Sequence, residues 1–459
     1  MPIFNHLSMK TKTLIFSILA SCLLFQSCRK EPKHVVNSTN ALESYVAKPD
    51  TAFQWSVTDS FELEGIKGYQ LIMTSQVWQG ITWKHQLTVF VPTEVDYTSS
   101  LLFISGGKNK ESEPTLRSNT DDLATGLANI ALKNKAVVSL LRQTPNQPLF
   151  GDLTEDALIS YTLHNFKKDG NYEWPLLFPM VKSAVRGMDA VQEFGEQNLN
   201  KKIEKFTISG LSKRGWTTWL TGSQDNRVEA IGPMVIDVLN MPTSLQYQIS
   251  TWNDYSIEIQ DYVALEIPQS MASDTGKYLV DMIDPYSYRK KLDMPKMIFI
   301  GTNDPYWPID AMKNYYDSIP GENYIHIVPN AGHDLAGGEQ ALEALGAFFG
   351  NTIQKNAYPT CTWSTKTTEE GLAINVKTSA DRLIDVIVWS ANSDDRDFRD
   401  DEWTSKSLGI KNVESVDVLE SYAKGNFKAQ YIDLKYQDAT GGTFTESTRT
   451  FVTDAKGLL

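Results

Sequence analysis

Cysteine, histidine, positive charge and long apolar runs are all scarce in this chain, and each scarcity excludes something. Among 459 residues there are three cysteines and six histidines. After Cys22 and Cys28 only Cys361 remains, so a disulfide framework is not expected in the body of the protein. Acidic residues outnumber basic ones, 56 against 43, for a formal charge of −13. Nucleic-acid binding is therefore not expected, because such proteins carry a basic face that neutralises phosphates. No H-E-x-x-H string, no clustered Cys/His spacing and no G-x-x-x-x-G-K-[ST] loop occurs. These gaps remove the usual metal-hydrolase and phosphate-loop chemistries, and neither a metal nor a cofactor is expected.

The one notable apolar run, Leu14 to Phe25, is too short for a bilayer-spanning helix, which takes about 20 residues. Preceded by Lys10 and Lys12, it suits the apolar stretch of a signal peptide, and Met9 is an alternative start directly before those lysines. The run leads into "LLFQSC", where a small residue before Cys28 is similar to the lipobox of bacterial lipoproteins. The expectation is cleavage after residue 27, lipid on Cys28 and a cell-envelope lipoprotein at the periplasmic face or in the outer membrane. Ordinary cleavage and a soluble secreted protein is the alternative. Residues 28–45 are expected to be a polar tether.

Strand and helix signals then alternate. Apolar runs at 69–75 and 83–91 flank a turn, and short unbroken ones follow at 101–105, 136–141, 206–209, 230–236, 296–300 and 324–328, as expected for strands buried on both faces. Val181, Ala184, Val185, Met188, Val191 and Phe194 recur at steps of three and four, which is one face of a helix, and 339–353 reads as a closing helix. This alternation predicts an α/β domain over 46–354 with a mostly parallel sheet. The Tyr- and Gln-rich stretch from about 238 to 295 is expected to be a cap inserted over the strand ends. From 355 to 459 the pattern turns to short alternating strands, a β-sandwich-like domain.

Candidate chemistry centres on "TISGLSKRGWTTW", where a strand breaks at Gly210, presents Ser212 and turns helical. This is the shape of a nucleophile elbow, although Arg214 stands where G-x-S-x-G has its second glycine. A serine hydroxyl needs a base, and the base needs an orienting carboxylate. Of the six histidines, His333 in "PNAGHD" follows the last predicted strand, and Asp304 in "GTNDPYW" follows the strand before it. The order Ser212, Asp304, His333 is that of α/β-hydrolases. Backbone N–H groups for an oxyanion are expected from Lys213 and from Gly106 or Gly107, the last two being a simple tight turn otherwise. Trp307, Trp252 and Asn146 are candidate substrate contacts, with packing or loop-fixing as their bland alternatives. Arg214 either meets a substrate anion or pairs with an acid inside the fold. The acidic turn 394–401 suggests a calcium loop but lacks the EF-hand glycine, so a solvated turn is favoured.

The strings "GLSKRGWTTWLT", "GPMVIDVLNM", "IGTNDPYW", "PNAGHD", "TPNQPL", "FPMVKSAVRGMDAVQEF" and "WSANSDDRDFR" resemble the PhoPQ-activated pathogenicity-related protein family, itself related to an autocrine proliferation repressor of social amoebae. The resemblance spans roughly residues 42 to 453. It implies an α/β-hydrolase domain with an appended β domain, and Ser212, Asp304 and His333 as the catalytic set. It also makes S-K-R-G at the elbow a family trait. The function expected is a serine hydrolase acting through an acyl-enzyme on an ester or amide of a small molecule, glycan or peptide. A peptidase is the rival within that class, and a non-catalytic surface binding or signalling protein is the rival outside it.

Overall fold

The computed structural model describes Met1, residues 35–423 and residues 426–459. The leader, Cys28 and most of the expected tether lie outside the described residues. Ser38–Leu459 forms one compact unit. Among the described residues no helix is long and apolar enough to cross a membrane.

A nine-stranded sheet carries the site. In chain order its strands are β1 (Gln54–Leu63), β2 (Ile66–Trp78), β3 (Ile81–Pro92), β4 (Ser99–Ile104), β5 (Val138–Leu141), β6 (Lys205–Leu211), β7 (Val228–Met234), β8 (Lys296–Gly301) and β9 (Asn323–Val328). Their spatial order is β1-β2-β3-β5-β4-β6-β7-β8-β9. β1, β2 and β3 pair antiparallel, as do β3 and β5; from β5 to β9 every pair is parallel. The turn between β2 and β3 is tighter than the seven residues the sequence suggests. Gln79 and Gly80 both take left-handed φ, 50° and 74°, which matches a two-residue turn to the twist of its strands.

Helices cover both faces. α2 (Asp122–Asn134) and α8 (Glu339–Gln354) pack against one another on one face; α4 (Leu177–Phe194) and α5 (Lys213–Gly222) do so on the other, with α3 (Glu155–Asp169) beside them. Parallel strands sandwiched in this way must be largely apolar on both sides, which is why β4, β5 and β8 are mostly apolar with nearly every residue buried. The expected tether is corrected at its end: α1 (Ala41–Ala47) is helical and buries Ala41, Leu42 and Tyr45, whose hydroxyl donates to Gln76 Oε1 at 2.7 Å. Polar residues 37–40 give way there to an apolar pair that packs against α4.

Between β7 and β8 the chain leaves the sheet and builds α6 (Met241–Trp252), two short helical turns at 260–263 and 267–270, and α7 (Asp274–Ile283). This is the expected cap region. Beyond α8, β10 (Cys361–Thr367), β11 (Gly371–Thr378) and β14 (Ser415–Ser421) make one antiparallel sheet. β12 (Leu383–Ser393), β13 (Thr404–Ser407), β15 (Phe427–Gln437), β16 (Thr443–Ser447) and β17 (Phe451–Thr453) make the second. Leu372, Ile374, Val376 and Val418 of the first are buried together with Val386, Val388, Ile432 and Leu434 of the second. β16 lies against β9, where buried His326 donates Nδ1–H to the Thr445 carbonyl at 3.1 Å. The whole is an α/β-hydrolase fold followed by a β-sandwich-like region.

Candidate active site

The elbow forms where β6 runs into α5. Ser212 holds φ 61° and ψ −127°, a conformation that costs a non-glycine residue about 1–3 kcal/mol. Its N–H donates to the Met234 carbonyl at 2.9 Å, tying the turn to the end of β7. The displaced glycine has a steric explanation: a β-carbon on Gly215 would lie 2.6 Å from the Met234 oxygen and 3.0 Å from that of Gly210. Close passage of α5 over the strand ends requires a glycine one place later than in G-x-S-x-G.

Three distant side chains meet there. His333 Nε2 lies 2.7 Å from Ser212 Oγ, and His333 Nδ1 lies 2.8 Å from Asp304 Oδ2. With Nδ1–H donated to the carboxylate, Nε2 is left as the acceptor for the serine hydroxyl. Asp304 is kept from swinging by the Tyr306 N–H, which donates to its other oxygen at 2.9 Å. The three residues follow β6, β8 and β9, so their convergence is a property of neighbouring parallel strands that end on one rim.

Several groups were missed by the sequence reading. The Tyr306 ring stacks on the His333 imidazole, centroids 4.1 Å apart and 28° from parallel. Its hydroxyl reaches Asp156 Oδ2 at 3.3 Å, and the Tyr262 hydroxyl donates to Asp156 Oδ1 at 2.9 Å. Lys213 Nζ sits 3.0 Å from Glu155 Oε2 and 3.3 Å from Asp156 Oδ2. Thr154 followed by Glu155 and Asp156 is a legible helix start, with acids where the dipole favours them, but nothing local announces that α3 points this turn at the elbow.

Of its two readings, Arg214 takes the inward pairing. Its NH1 and NH2 donate to the two Glu155 oxygens at 2.8 Å each and its Nε to the Thr144 carbonyl at 2.6 Å. The guanidinium is committed inside the fold and does not reach out for a substrate anion. Burial alone would raise the Glu155 carboxyl; the charge and hydrogen bonds of Arg214, then Lys213 and Gln147, hold it well below the carboxylate range.

Gly106 and Gly107 are glycines for a different reason than expected. A β-carbon on Gly106 would fall 2.5 Å from Arg214 NH2, and one on Gly107 2.9 Å from Gln143 Nε2. Neither lines the cavity at Ser212. Asn146 is a loop staple, accepting from Lys84 N–H at 3.1 Å and donating to Lys84 O at 2.7 Å and Gln143 O at 3.2 Å. Trp252 lies away from Ser212, its ring covered by the Arg399 guanidinium at 4.0 Å. Trp307 does line the cavity beside Ser212 and His333. Turn 394–401 holds no calcium cage, since Asp395 accepts from Ser393 Oγ and Asp397 N–H, and Asp397 pairs with Arg399. Among the described residues no group of His, Cys, Asp or Glu is arranged to hold a metal ion.

Asp237, after β7, is fully buried beside the acid loop, and Tyr315 donates its hydroxyl to it at 2.5 Å. Burial pushes its carboxyl up to about 7, opposed by the Tyr315 hydrogen bond and assisted by the charges of Asp304 and Asp310. The folded state binds this proton more tightly than the unfolded chain, whose ordinary value is 3.8. Its stabilising effect is thus complete below about pH 4 and is lost as pH rises through about 7. Asp237→Asn is expected to flatten that stretch, giving a higher thermal midpoint than wild type near pH 8 but not near pH 4. Parallel melting curves at both pH values would contradict it.

A family model described as PhoPQ-activated pathogenicity-related protein matches residues 42–399. Autocrine proliferation repressor protein A of Dictyostelium discoideum is 31% identical over 382 residues, covering 78% of this chain and 76% of the relative. Among solved structures, acetyl xylan esterase 1 from Thermoanaerobacterium sp. is 15% identical with a TM-score of 0.46, over 67% of this chain and 92% of its own. S-formylglutathione hydrolase from Agrobacterium tumefaciens is 11% identical with a TM-score of 0.43, over 65% of this chain and 99% of its own.

Proposed function

The chain belongs to the PhoPQ-activated pathogenicity-related protein family, and on that premise and the geometry of the site we propose that it is a serine hydrolase cleaving an ester or amide through an acyl-enzyme. The observation that carries this reading is the unbroken hydrogen-bonded line from Ser212 Oγ through both nitrogens of His333 to Asp304.

In this reading Ser212 Oγ attacks the substrate carbonyl carbon while His333 Nε2 takes its proton. Asp304 holds the imidazole tautomer and offsets the positive charge that forms. The first N–H groups of α5 have no partner within the helix, so the Lys213 amide is placed to meet the developing oxyanion, with the dipole in its favour. The imidazolium then protonates the departing alcohol or amine, and water reverses the sequence to release the acid. We place the protein outside the cytoplasm, held by lipid on Cys28 after loss of residues 1–27, a reading that rests on the leader sequence alone.

A fluorophosphonate probe tests the chemistry, because it reacts only with an activated serine. Labelling of Ser212, located by peptide mapping, is the expected outcome; an unlabelled folded protein would refute the reading. A second reading draws on one observation, the name of the amoebal relative, which describes a repressor of proliferation. It makes this chain a surface signalling protein that retains the fold without the reaction, and the same unlabelled outcome would favour it.

A further inference from the structure

Between the elbow and the cap lies a cavity of about 60 Å³ that opens on Ser212 and His333. Its wall is almost entirely apolar, with Trp216, Leu245, Ile267 and Met271 among the side chains that close it. All four are at least nine-tenths buried. Space for one water-sized group takes about 10–15 Å³, so the cavity admits about four to six such groups. A carbonyl with one to three further carbons fills it, and a long chain does not fit.

Charge sharpens the reading. Among the described residues Asp156 is the only carboxylate in the cavity wall, and it is fully engaged: Tyr262 donates to Oδ1, while Tyr306 and Lys213 share Oδ2. Lys213 is in turn held by Glu155. No unpaired carboxylate in this wall is left to receive the ammonium of an aminoacyl group, and placing that ammonium against apolar walls is costly. Resting on the serine-hydrolase reading above, we propose that this cavity is the acyl subsite and that it selects short, uncharged acyl groups of about two to four carbons, with the alcohol portion of the ester left outside it.

The test is a series of p-nitrophenyl acetate, butyrate and octanoate together with alanine p-nitroanilide, run on the full chain and on Leu245→Ala and Met271→Ala. Each methylene in an apolar pocket is worth roughly tenfold or more in discrimination. Wild type is expected to prefer acetate or butyrate over octanoate by at least about tenfold in kcat/KM and to leave the anilide uncleaved. Both variants are expected to move the preference towards octanoate, with fluorophosphonate labelling of Ser212 retained. Octanoate turned over as fast as butyrate, or a preference for the alanine substrate, overturns the subsite. Absence of both labelling and ester turnover sinks the hydrolase reading itself.

A separate set of contacts concerns the turn 394–403, which joins β12 to β13. Asn303, directly before Asp304, shares its Nδ2–H groups among the carbonyls of Phe398 and Arg399 at 3.2 Å and Asp401 at 2.8 Å. Asn330, three residues before His333, donates to the Trp403 carbonyl at 2.9 Å and accepts from the Trp403 N–H at 2.8 Å. Thr302 links the two, donating to Asn303 Oδ1 at 2.6 Å and accepting from Asn330 N–H at 2.7 Å. The family match also runs past the hydrolase body and stops at residue 399, inside this turn.

We infer that the β region is part of the catalytic apparatus: its turn clamps the acid and histidine loops together, with Asn303 and Asn330 as positioning residues. A reacting geometry lost by about 1 Å costs roughly a hundredfold. Asn303→Ala and Asn330→Ala are expected to lower kcat on p-nitrophenyl acetate by about ten- to a hundredfold with KM nearly constant. Asn303→Asp, which sets a carboxylate among carbonyl oxygens, is expected to be worse than alanine. If both alanine variants keep kcat within twofold, or if kcat and KM change in proportion, the clamp has no such role.

Discussion

Ser212→Ala is expected to lower kcat by about 10⁴–10⁶-fold, leaving only the residual rate that binding and oxyanion contacts supply. In the proposed reaction the removed hydroxyl is the attacking atom, and His333 Nε2, 2.7 Å away, then faces a methyl group with no proton to take. Stability should hardly change. Ser212 occupies the position before the first residue of α5, yet its side chain caps nothing there. Alanine therefore loses no cap and keeps the same unfavourable φ of 61°. Ser212→Gly separates chemistry from strain: it should be just as inactive but about 1 kcal/mol more stable than the alanine variant, since glycine adopts that backbone freely. Single-turnover assays and urea melts of the pair check both parts. Retained turnover in either variant would remove Ser212 from the reaction.

Glu155→Ala should have the largest structural effect. It strips the shared partner from Arg214 and Lys213, whose side chains are 11% and 8% exposed, leaving the Arg214 guanidinium beside Ser212 without its carboxylate and Lys213 with Asp156 alone. Removing one member of a fully buried pair costs about 3–5 kcal/mol. The Glu155 side chain is itself 39% exposed, so water screens part of the loss and about 2 kcal/mol is expected. Activity should fall with it, because Arg214 also supports Gly106 and the Thr144 carbonyl. A pH signature accompanies this pair. The folded carboxyl titrates below its ordinary value of 4.5, so its stabilisation is present above that pH and is lost as pH falls through the folded value. Glu155→Gln should flatten the acid limb of a stability profile below about pH 4.5. Unchanged acid denaturation would show that the ion pair contributes nothing.

The ease of finding Ser212, Asp304 and His333 and the difficulty of finding Glu155 have one cause. The three lie just beyond the ends of β6, β8 and β9, which a parallel sheet delivers to one rim. Glu155, Asp156 and Tyr262 lie on helical turns outside the sheet, where no periodicity reports which way a side chain turns. Trp252 and Asn146 failed as site candidates for the same reason, being loop and helix-end residues whose neighbours come from far along the chain. β1 escaped notice because it is an edge strand paired along its length with β2 alone and without one buried residue, so neither alternation nor an apolar run marks it.

Residue order by itself determined the layered α/β body, the β-rich tail, the nucleophile elbow with its two partners and the family, because burial on both faces of a sheet and strand-end turns leave local marks in composition. Only the folded chain decided that Arg214 is paired inward, that the cap closes a small apolar cavity over Ser212, and that the turn 394–403 grips the acid and histidine loops. Those outcomes depend on the directions of side chains brought together across tens to hundreds of residues, and direction is set by packing, which no local pattern encodes.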